Sequence, residues 1–192
     1  MSKRSTQKES TRRKILGAAY HVYAEQGFSA PTAVIASEAG VAHGTVFVHF
    51  PALDDLVMSL IRDFSETLIA DLHRLAQARS DLRALLETHI DVLAIHEEFY
   101  IRLVSDRSLL LEEARMTFAN IQSLVAFHFS GAIERGVDEG VIKNIPVHMI
   151  FNTWMGLVHY YLLNKDLFSP EGPVVVRYRK ELVETFLELV QA

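Results

Sequence analysis

The chain has 192 residues, and 49% of them are hydrophobic, which supports a full hydrophobic core and excludes an intrinsically disordered chain. It contains no cysteine, which excludes disulfides, thiolate nucleophiles and cysteine-ligated zinc sites. The net charge of −5 is unevenly distributed, because residues 1–50 hold six basic and three acidic side chains whereas residues 51–192 hold thirteen and twenty-one. The N-terminal segment is therefore the part expected to meet a polyanion such as DNA.

The first ten residues, M-S-K-R-S-T-Q-K-E-S, are polar and charged, and no apolar segment follows them. They predict no secretory signal, and the absence of cysteine suits a reducing compartment, so we expect a cytoplasmic protein. Residues 1–7 are predicted to form a flexible basic arm. A first helix is predicted from about Lys8 or Ser10 to Gln26, with its buried stripe at Ile15, Ala19, Val22 and Tyr23.

A basic cluster lies in the first turns of this helix, at Arg12, Arg13 and Lys14. Such a cluster is either an ordinary solvated face or a set of phosphate contacts. The segment that follows favours phosphate contacts for Arg12 and Arg13, because it predicts a DNA-binding motif.

Two short helices joined at a glycine are predicted for residues 34–50, V-I-A-S-E-A-G-V-A-H-G-T-V-F-V-H-F. Apolar residues recur at helical spacing on both sides of Gly40, which supplies the left-handed backbone that a tight turn needs. Ala36 and Ala39 are small enough to let the two helices cross closely. This pattern is typical of a helix-turn-helix, whose second helix enters the major groove of DNA.

The segment A-G-V-A-H-G-T-V-F-V-H-F, preceded by I-L-G-A-A-Y-H-V-Y-A-E-Q-G-F, resembles the TetR family of bacterial transcriptional regulators. The resemblance implies an all-α fold of about nine helices, with a helix-turn-helix DNA-binding domain over residues 1–50. It implies a helical ligand-binding and dimerisation domain over residues 51–192, linked through the fourth helix. The implied function is that of a repressor, released from a palindromic operator by a small-molecule effector. The residues assigned to DNA contact by the resemblance are Thr32, Ala42, His43, Gly44, Thr45, Phe47, Val48 and His49.

The second helix of the motif departs from the usual family pattern. His43 stands where Lys is common, and Phe47 and Val48 stand where two Tyr are common. No Arg, Lys, Asn or Gln lies in residues 41–50, so bidentate base contacts are not available from this helix. We therefore expect modest affinity and strong salt dependence, carried largely by the basic N-terminal segment.

Base recognition is left to a few side chains of this helix. His43 and Thr45 can hydrogen-bond to base edges, Ala42 can contact a thymine methyl group, and DNA shape can supply the rest. The alternative for His43 and His49 is an ordinary surface position or a hydrogen bond within the domain.

The remaining periodicities are helical, and no alternating strand pattern competes with them. A long amphipathic fourth helix is predicted from about residue 52 to residue 78. Ser80 is predicted to cap the fifth helix, which Asp81 begins. The later helices are predicted at about 81–96, 99–105, 110–136, 147–164 and 174–191.

Two segments, residues 116–133 and 144–164, carry almost no charge. Their polar residues argue against membrane spans, and a helix without a charged face is typically buried on both sides. For the eighth helix, one side is expected to face the domain core and the other a second subunit, with Gly156 allowing close approach. The eighth and ninth helices are expected to form a four-helix homodimer interface, as the resemblance implies.

Aromatic rings and polar atoms are interspersed among apolar residues of the predicted C-terminal domain. This composition suits a pocket for an apolar or aromatic effector, although ordinary core packing is the alternative. The candidate pocket residues are His89, His96, Tyr100, Phe118, His128, Phe151, Trp154 and His159.

The alternatives to a small-molecule-responsive repressor are a metal sensor and an enzyme. A metal sensor could use His89, His96 and Asp91, but seven residues along a helix span about 10 Å, too far for one ion without other segments. An enzyme is disfavoured, because H-E-E-F-Y at His96 has Tyr100 where a zinc-protease helix has its second His. No metal ligand set and no cofactor is therefore assigned.

Overall fold

The computed structural model describes residues 3–77 and 81–192. Over those residues the chain forms eleven α-helices and a short 3-10 helix at Arg107–Leu109, which confirms the predicted all-α class. The α-helices are α1 (Lys3–Gln26), α2 (Thr32–Glu38), α3 (His43–His49), α4 (Leu53–Gln77), α5 (Leu82–Ile95), α6 (Glu97–Ser105), α7 (Glu112–Asp138), α8 (Val147–Leu163), α9 (Lys165–Phe168), α10 (Val174–Arg177) and α11 (Arg179–Val190).

The chain divides into two compact units. The first unit comprises Met1–Phe64 and Glu98–Phe118, and the second comprises Ser65–Glu97 and Ala119–Ala192. The predicted functional division into residues 1–50 and 51–192 stays a prediction.

The first helix confirms the predicted stripe and corrects its start. Ile15, Ala19, Val22 and Tyr23 are all fully buried. The predicted flexible arm is wrong for residues 3–7, which are helical, because nothing in this polar segment is a helix breaker such as Gly or Pro. Residues 1 and 2 of the predicted arm lie outside the described residues.

Helix α6 is bonded to the C-terminal end of α1 within the first unit. Arg102 donates from Nη2 to the carbonyl of Glu25 at 2.9 Å and from Nε to that of Ala24 at 3.3 Å. The carboxylate of Asp106 accepts the backbone N–H of Phe28 at 3.1 Å. The carbonyls that a helix end leaves without partners are thus satisfied by a neighbouring helix.

The second unit has helix ends that differ from the predicted ones. Asp81 is the cap of α5 rather than its first residue, since its side chain accepts the N–H of Ala84 at 2.9 Å. The predicted cap Ser80 and the predicted end of the fourth helix at Ala78 lie outside the described residues. The predicted single helix 174–191 is wrong, because it is interrupted at Tyr178, after three β-branched valines that disfavour a helix.

A buried carboxylate holds the start of α10. Glu97 is 3% exposed, and its two oxygens accept the N–H groups of Val174 and Val175 at 2.9 and 3.0 Å. The ammonium group of Lys165 lies 3.1 Å from the same carboxylate. Glu97, the second letter of the H-E-E-F-Y segment, therefore caps a helix that lies far from it in sequence.

The described residues contain one candidate for a membrane crossing, a bent pair of helices. No single helix there combines the length and the apolar content that a membrane crossing requires. The pair of α3 and residues 53–66 of α4, bent by 65°, passes by length and composition alone.

Candidate nucleic-acid interface

The turn between α2 and α3 has the geometry that the sequence predicts. Gly40 has φ +66°, in the left-handed region. Its N–H donates to the carbonyl of Ser37 at 3.1 Å, and the N–H of Val41 donates to that of Ala36 at 3.0 Å. This pair of bonds closes a helix through a left-handed glycine, so the predicted role of Gly40 is confirmed.

Helix α3 has one buried side and one exposed side. Val46 and, just past the helix end, Phe50 are each 1% exposed and anchor the helix in the first unit. Val48 is 71% exposed and Phe47 41% exposed, an unusual position for large apolar side chains. Of the other residues assigned to DNA contact, Ala42, His43 and Gly44 are exposed, and Thr32, Thr45 and His49 are half-buried.

His43 is held by two contacts that the sequence did not predict. Its Nε2 lies 2.8 Å from the hydroxyl of Thr32, at the start of α2. Its ring meets that of Phe47 edge to face, with centroids 5.4 Å apart. Two residues assigned separately to DNA contact thus bond to each other.

His49 has a different environment from His43. Its Nδ1 is buried and makes no hydrogen bond within the described part of the chain. The alternative prediction for His49, a hydrogen bond within the domain, is therefore not met at Nδ1.

The two arginines of the basic cluster have different surroundings. Arg12 Nη2 donates to the hydroxyl of Ser59 at 3.0 Å, and its guanidinium lies over the Phe50 ring, 4.4 Å from the centroid. Arg13 is exposed and, among the described residues, makes a loose ion pair of 3.7 Å with Glu9 one turn away. Sequence reasoning missed this difference because Ser59 is 47 residues away. Arg12 is engaged inside the first unit, whereas the guanidinium of Arg13 is exposed to solvent.

The candidate pocket residues fall into both units. In the second unit, the indole N–H of Trp154 donates to His89 Nδ1 at 3.0 Å, and both side chains are buried. Burial, and secondarily the neighbouring His159, lower the pKa of His89 to about 3. Phe129 connects this pair to Phe151, with ring centroids 5.9 Å from His89 and 5.6 Å from Phe151.

The other candidates are less closely grouped. Tyr100 and Phe118 lie in the first unit, where their rings meet edge to face at 5.7 Å. His96, His128 and His159 are half-buried residues of the second unit. Burial lowers the pKa of His96 and of His159.

A cavity of about 360 Å³ lies in the second unit, among the start of α5, the end of α7 and the C-terminal residues. Apolar side chains such as Leu82, Ile142 and Val190 line it together with Arg83 and Arg135. None of the predicted pocket residues lines this cavity. The sequence did not predict this cavity, because its lining residues come from segments far apart in the chain and hydrophobic periodicity does not show that such segments meet.

Two of the three groups considered as metal ligands, His89 and Asp91, are occupied by other contacts. His89 Nδ1 accepts the indole N–H, and the carboxylate of Asp91 pairs with Arg179 through two bonds of 2.9 and 3.1 Å. Between residues 3 and 77 and from 81 onward, the described side chains form no group of three or more His, Asp or Glu that could hold an ion.

Two family descriptions match the chain in succession. Residues 15–60 match "Bacterial regulatory proteins, tetR family", and residues 76–190 match "Tetracyclin repressor-like, C-terminal domain". The second match alone covers more than half of the chain.

Curated relatives and a solved structure agree with these matches. The chain is 27% identical over 173 residues to a fatty acid metabolism regulator protein of Bacillus subtilis, covering 85% of this chain and 89% of that protein. It is 25% identical over 158 residues to the HTH-type transcriptional repressor KstR2 of Rhodococcus jostii, covering 75% and 74%. The structure of the transcriptional regulator FadR from Bacillus subtilis in complex with stearoyl-CoA has the same fold, with a TM-score of 0.71 at 20% identity over 91% of this chain and 97% of that one.

Proposed function

The chain belongs to the TetR family of bacterial transcriptional regulators, and we propose that this ligand-responsive repressor contacts its operator through the exposed side of α3 and the cations of α1. It is a regulator and not an enzyme. The observation that carries the proposal is the amphipathic α3, anchored by Val46 and Phe50, which leaves Phe47 and Val48 in solvent. A groove of DNA would cover this apolar surface, which the described part of the chain leaves largely in solvent.

The basic side chains supply the part of the affinity that does not depend on sequence. Lys8, Arg13 and Lys14 are exposed on α1, and each phosphate contact releases condensed counterions from DNA. Arg12 contributes mainly by holding α1 against Phe50 and Ser59. The proposal therefore separates a phosphate-binding Arg13 from a structural Arg12.

Selection from a random duplex library, followed by binding measurements at several salt concentrations, tests the proposal. We expect the wild type to enrich a palindrome. Arg13→Ala should weaken binding to every sequence and reduce the salt slope by about one. The matched control is Lys180→Ala, which removes an exposed cation from α11 in the second unit. Failure of the wild type to enrich any sequence would contradict the proposal.

The effector is proposed to be an apolar small molecule that binds in the second unit at the His89–Trp154 cluster. Rings with a few polar atoms suit such a ligand, and a relative with the same fold was solved with stearoyl-CoA. Since His89 and Trp154 are fully packed, the ligand must displace these rings. It releases DNA only if it binds the DNA-incompetent state more tightly.

The chain has a single tryptophan, so its emission reports on this cluster directly. Titration with stearoyl-CoA should change Trp154 emission and release operator DNA at the same concentrations. His89→Ala should weaken binding measured by calorimetry, whereas Arg135→Ala, in the separate cavity, should not. The reverse pattern would move the effector site from the cluster to that cavity.

Homodimerisation through α8 and the C-terminal helices completes the proposal, since a palindromic operator requires two copies of α3. A cytoplasmic location follows from the same role, because the operator is there.

A further inference from the structure

The hydrogen bond between Thr32 and His43 joins the two helices of the motif through side chains. The hydroxyl of Thr32 lies at the first residue of α2, and the imidazole of His43 at the first residue of α3. Their 2.8 Å separation is short, and the two positions are eleven apart in sequence. Thr32 is half-buried while His43 is exposed, so the bond fixes an exposed ring from a more protected position.

His43 is the exposed hydrogen-bonding side chain of α3, since Thr45 is half-buried. Residues 41–50 contain no Arg, Lys, Asn or Gln. The other imidazole, His49, is half-buried with its Nδ1 inaccessible to solvent. The start of a recognition helix is also where side chains reach base edges in this class of protein.

The contacts of His43 leave one ring nitrogen for DNA. Thr32 occupies Nε2, and the edge of Phe47 limits rotation of the ring. Nδ1 is the ring nitrogen that the Thr32 hydrogen bond leaves available. A protonated Nδ1 selects the acceptors of guanine, and a bare Nδ1 selects the amino group of adenine or cytosine.

We propose that Thr32 is a positioning residue that sets the base preference at one base pair of each half-site by holding the ring of His43. This inference rests on the proposed function. In it the Thr32 hydroxyl acts through His43 and does not itself bind a phosphate, so its loss changes discrimination and leaves general affinity unchanged.

The test repeats the selection from random duplex DNA with four proteins: wild type, Thr32→Val, Thr32→Ser and His43→Ala. Thr32→Val removes the hydroxyl at nearly constant shape, and Thr32→Ser retains it. We expect Thr32→Val and His43→Ala to lose preference at the same base pair, by roughly three- to tenfold, the worth of one hydrogen bond. Thr32→Ser should keep the wild-type preference. The salt slope of Thr32→Val should equal that of the wild type.

A double variant separates positioning from an independent contact. If Thr32 acts through His43, Thr32→Val should add nothing to the loss already caused by His43→Ala. Two results overturn the inference while the proposed function survives. One is an unchanged preference in Thr32→Val, and the other is a uniform loss of affinity with a smaller salt slope, which marks a phosphate contact. A wild type that enriches no sequence overturns the proposed function instead, and circular dichroism on each variant verifies folding.

Discussion

His89 illustrates how one buried residue makes stability depend on pH. The ring is fully buried and accepts a hydrogen bond from Trp154, an arrangement that requires Nδ1 without a proton. Burial lowers its pKa from 6.5 to about 3, and His159 adds repulsion between the two cations. In the unfolded chain the same imidazole titrates near its ordinary value. The two states therefore bind different numbers of protons between pH 6.5 and pH 3.

We expect the free energy of unfolding to fall as the pH drops below 6.5, because the unfolded state then binds the proton that folded His89 rejects. This site alone accounts for up to about 1.4 kcal/mol per pH unit once the unfolded imidazole is charged. Urea unfolding at pH 7.5, 6.0 and 5.0 measures the slope. His89→Asn keeps an acceptor near Nδ1 without titrating and should reduce the slope, leaving the smaller part due to His96 and His159, whereas the exposed control His148→Asn should not reduce it. An equal slope in His89→Asn and the wild type would contradict this assignment.

At the level of helices, the C-terminal end of α1 depends on α6 for its polar partners. Gly27, just past that end, has φ +81°, and a Cβ there would lie 2.5 Å from Asp106 Oδ2. The carboxylate occupies this space to reach the N–H of Phe28. Arg102 bonds the preceding carbonyls. A displacement of α6 would therefore act directly on α1, the helix that precedes and supports the DNA-binding motif.

Removal of this carboxylate should destabilise the first unit. Asp106→Ala removes the acceptor of the part-buried N–H of Phe28, which costs about 1 kcal/mol, the lower end of the range for a buried donor. Ser105→Ala is the matched control, because its exposed hydroxyl donates to Asp106 Oδ1, whereas the N–H of Phe28 donates to Oδ2. Thermal and urea unfolding of the two variants should differ by this amount, and equal stabilities would show that water replaces the carboxylate.

The sequence predicts local features of these elements better than their distant partners. Gly40, the stripe of α1 and the start of α8 after Pro146 follow from signals within a few residues, and the structure confirms them. The cap that Glu97 supplies to α10 pairs residues 77 positions apart, and the bond from Arg12 to Ser59 spans 47. No periodicity carries such pairings. The sequence marks Glu97 by its motif and Arg12 by its charge, but tertiary contacts decide what each residue does.

On the scale of the whole molecule, charge and exposed apolar surface are distributed unequally along the chain. Residues 1–50 are basic and the remainder is acidic, so DNA attracts one part and repels the other. Helix α8 carries an apolar stripe in solvent, formed by Met149 (51% exposed), Tyr160 (59%) and Leu163 (47%). The helix is nearly free of charge, and a surface of this kind on one chain is typical of an interface. Helix α7 likewise exposes Met116 and Phe127.

A charge on the α8 stripe should abolish the proposed dimer without unfolding the chain. Gly156 lies on this stripe, two turns from Met149 and one turn from Tyr160, and a Cβ there would meet no described atom of other segments within 4 Å. Gly156→Glu therefore fits the single subunit but buries a carboxylate without a partner if two copies pack there. We expect sedimentation velocity to show a monomer, and circular dichroism to match the wild type. Binding to the selected palindrome should be at least tenfold weaker, because one copy reaches one half-site.

Ile95→Glu, which charges another exposed apolar residue at the end of α5, should remain dimeric and bind as the wild type does. A dimer that persists in Gly156→Glu places the interface elsewhere, and the exposed residues of α7 are then the next surface to charge.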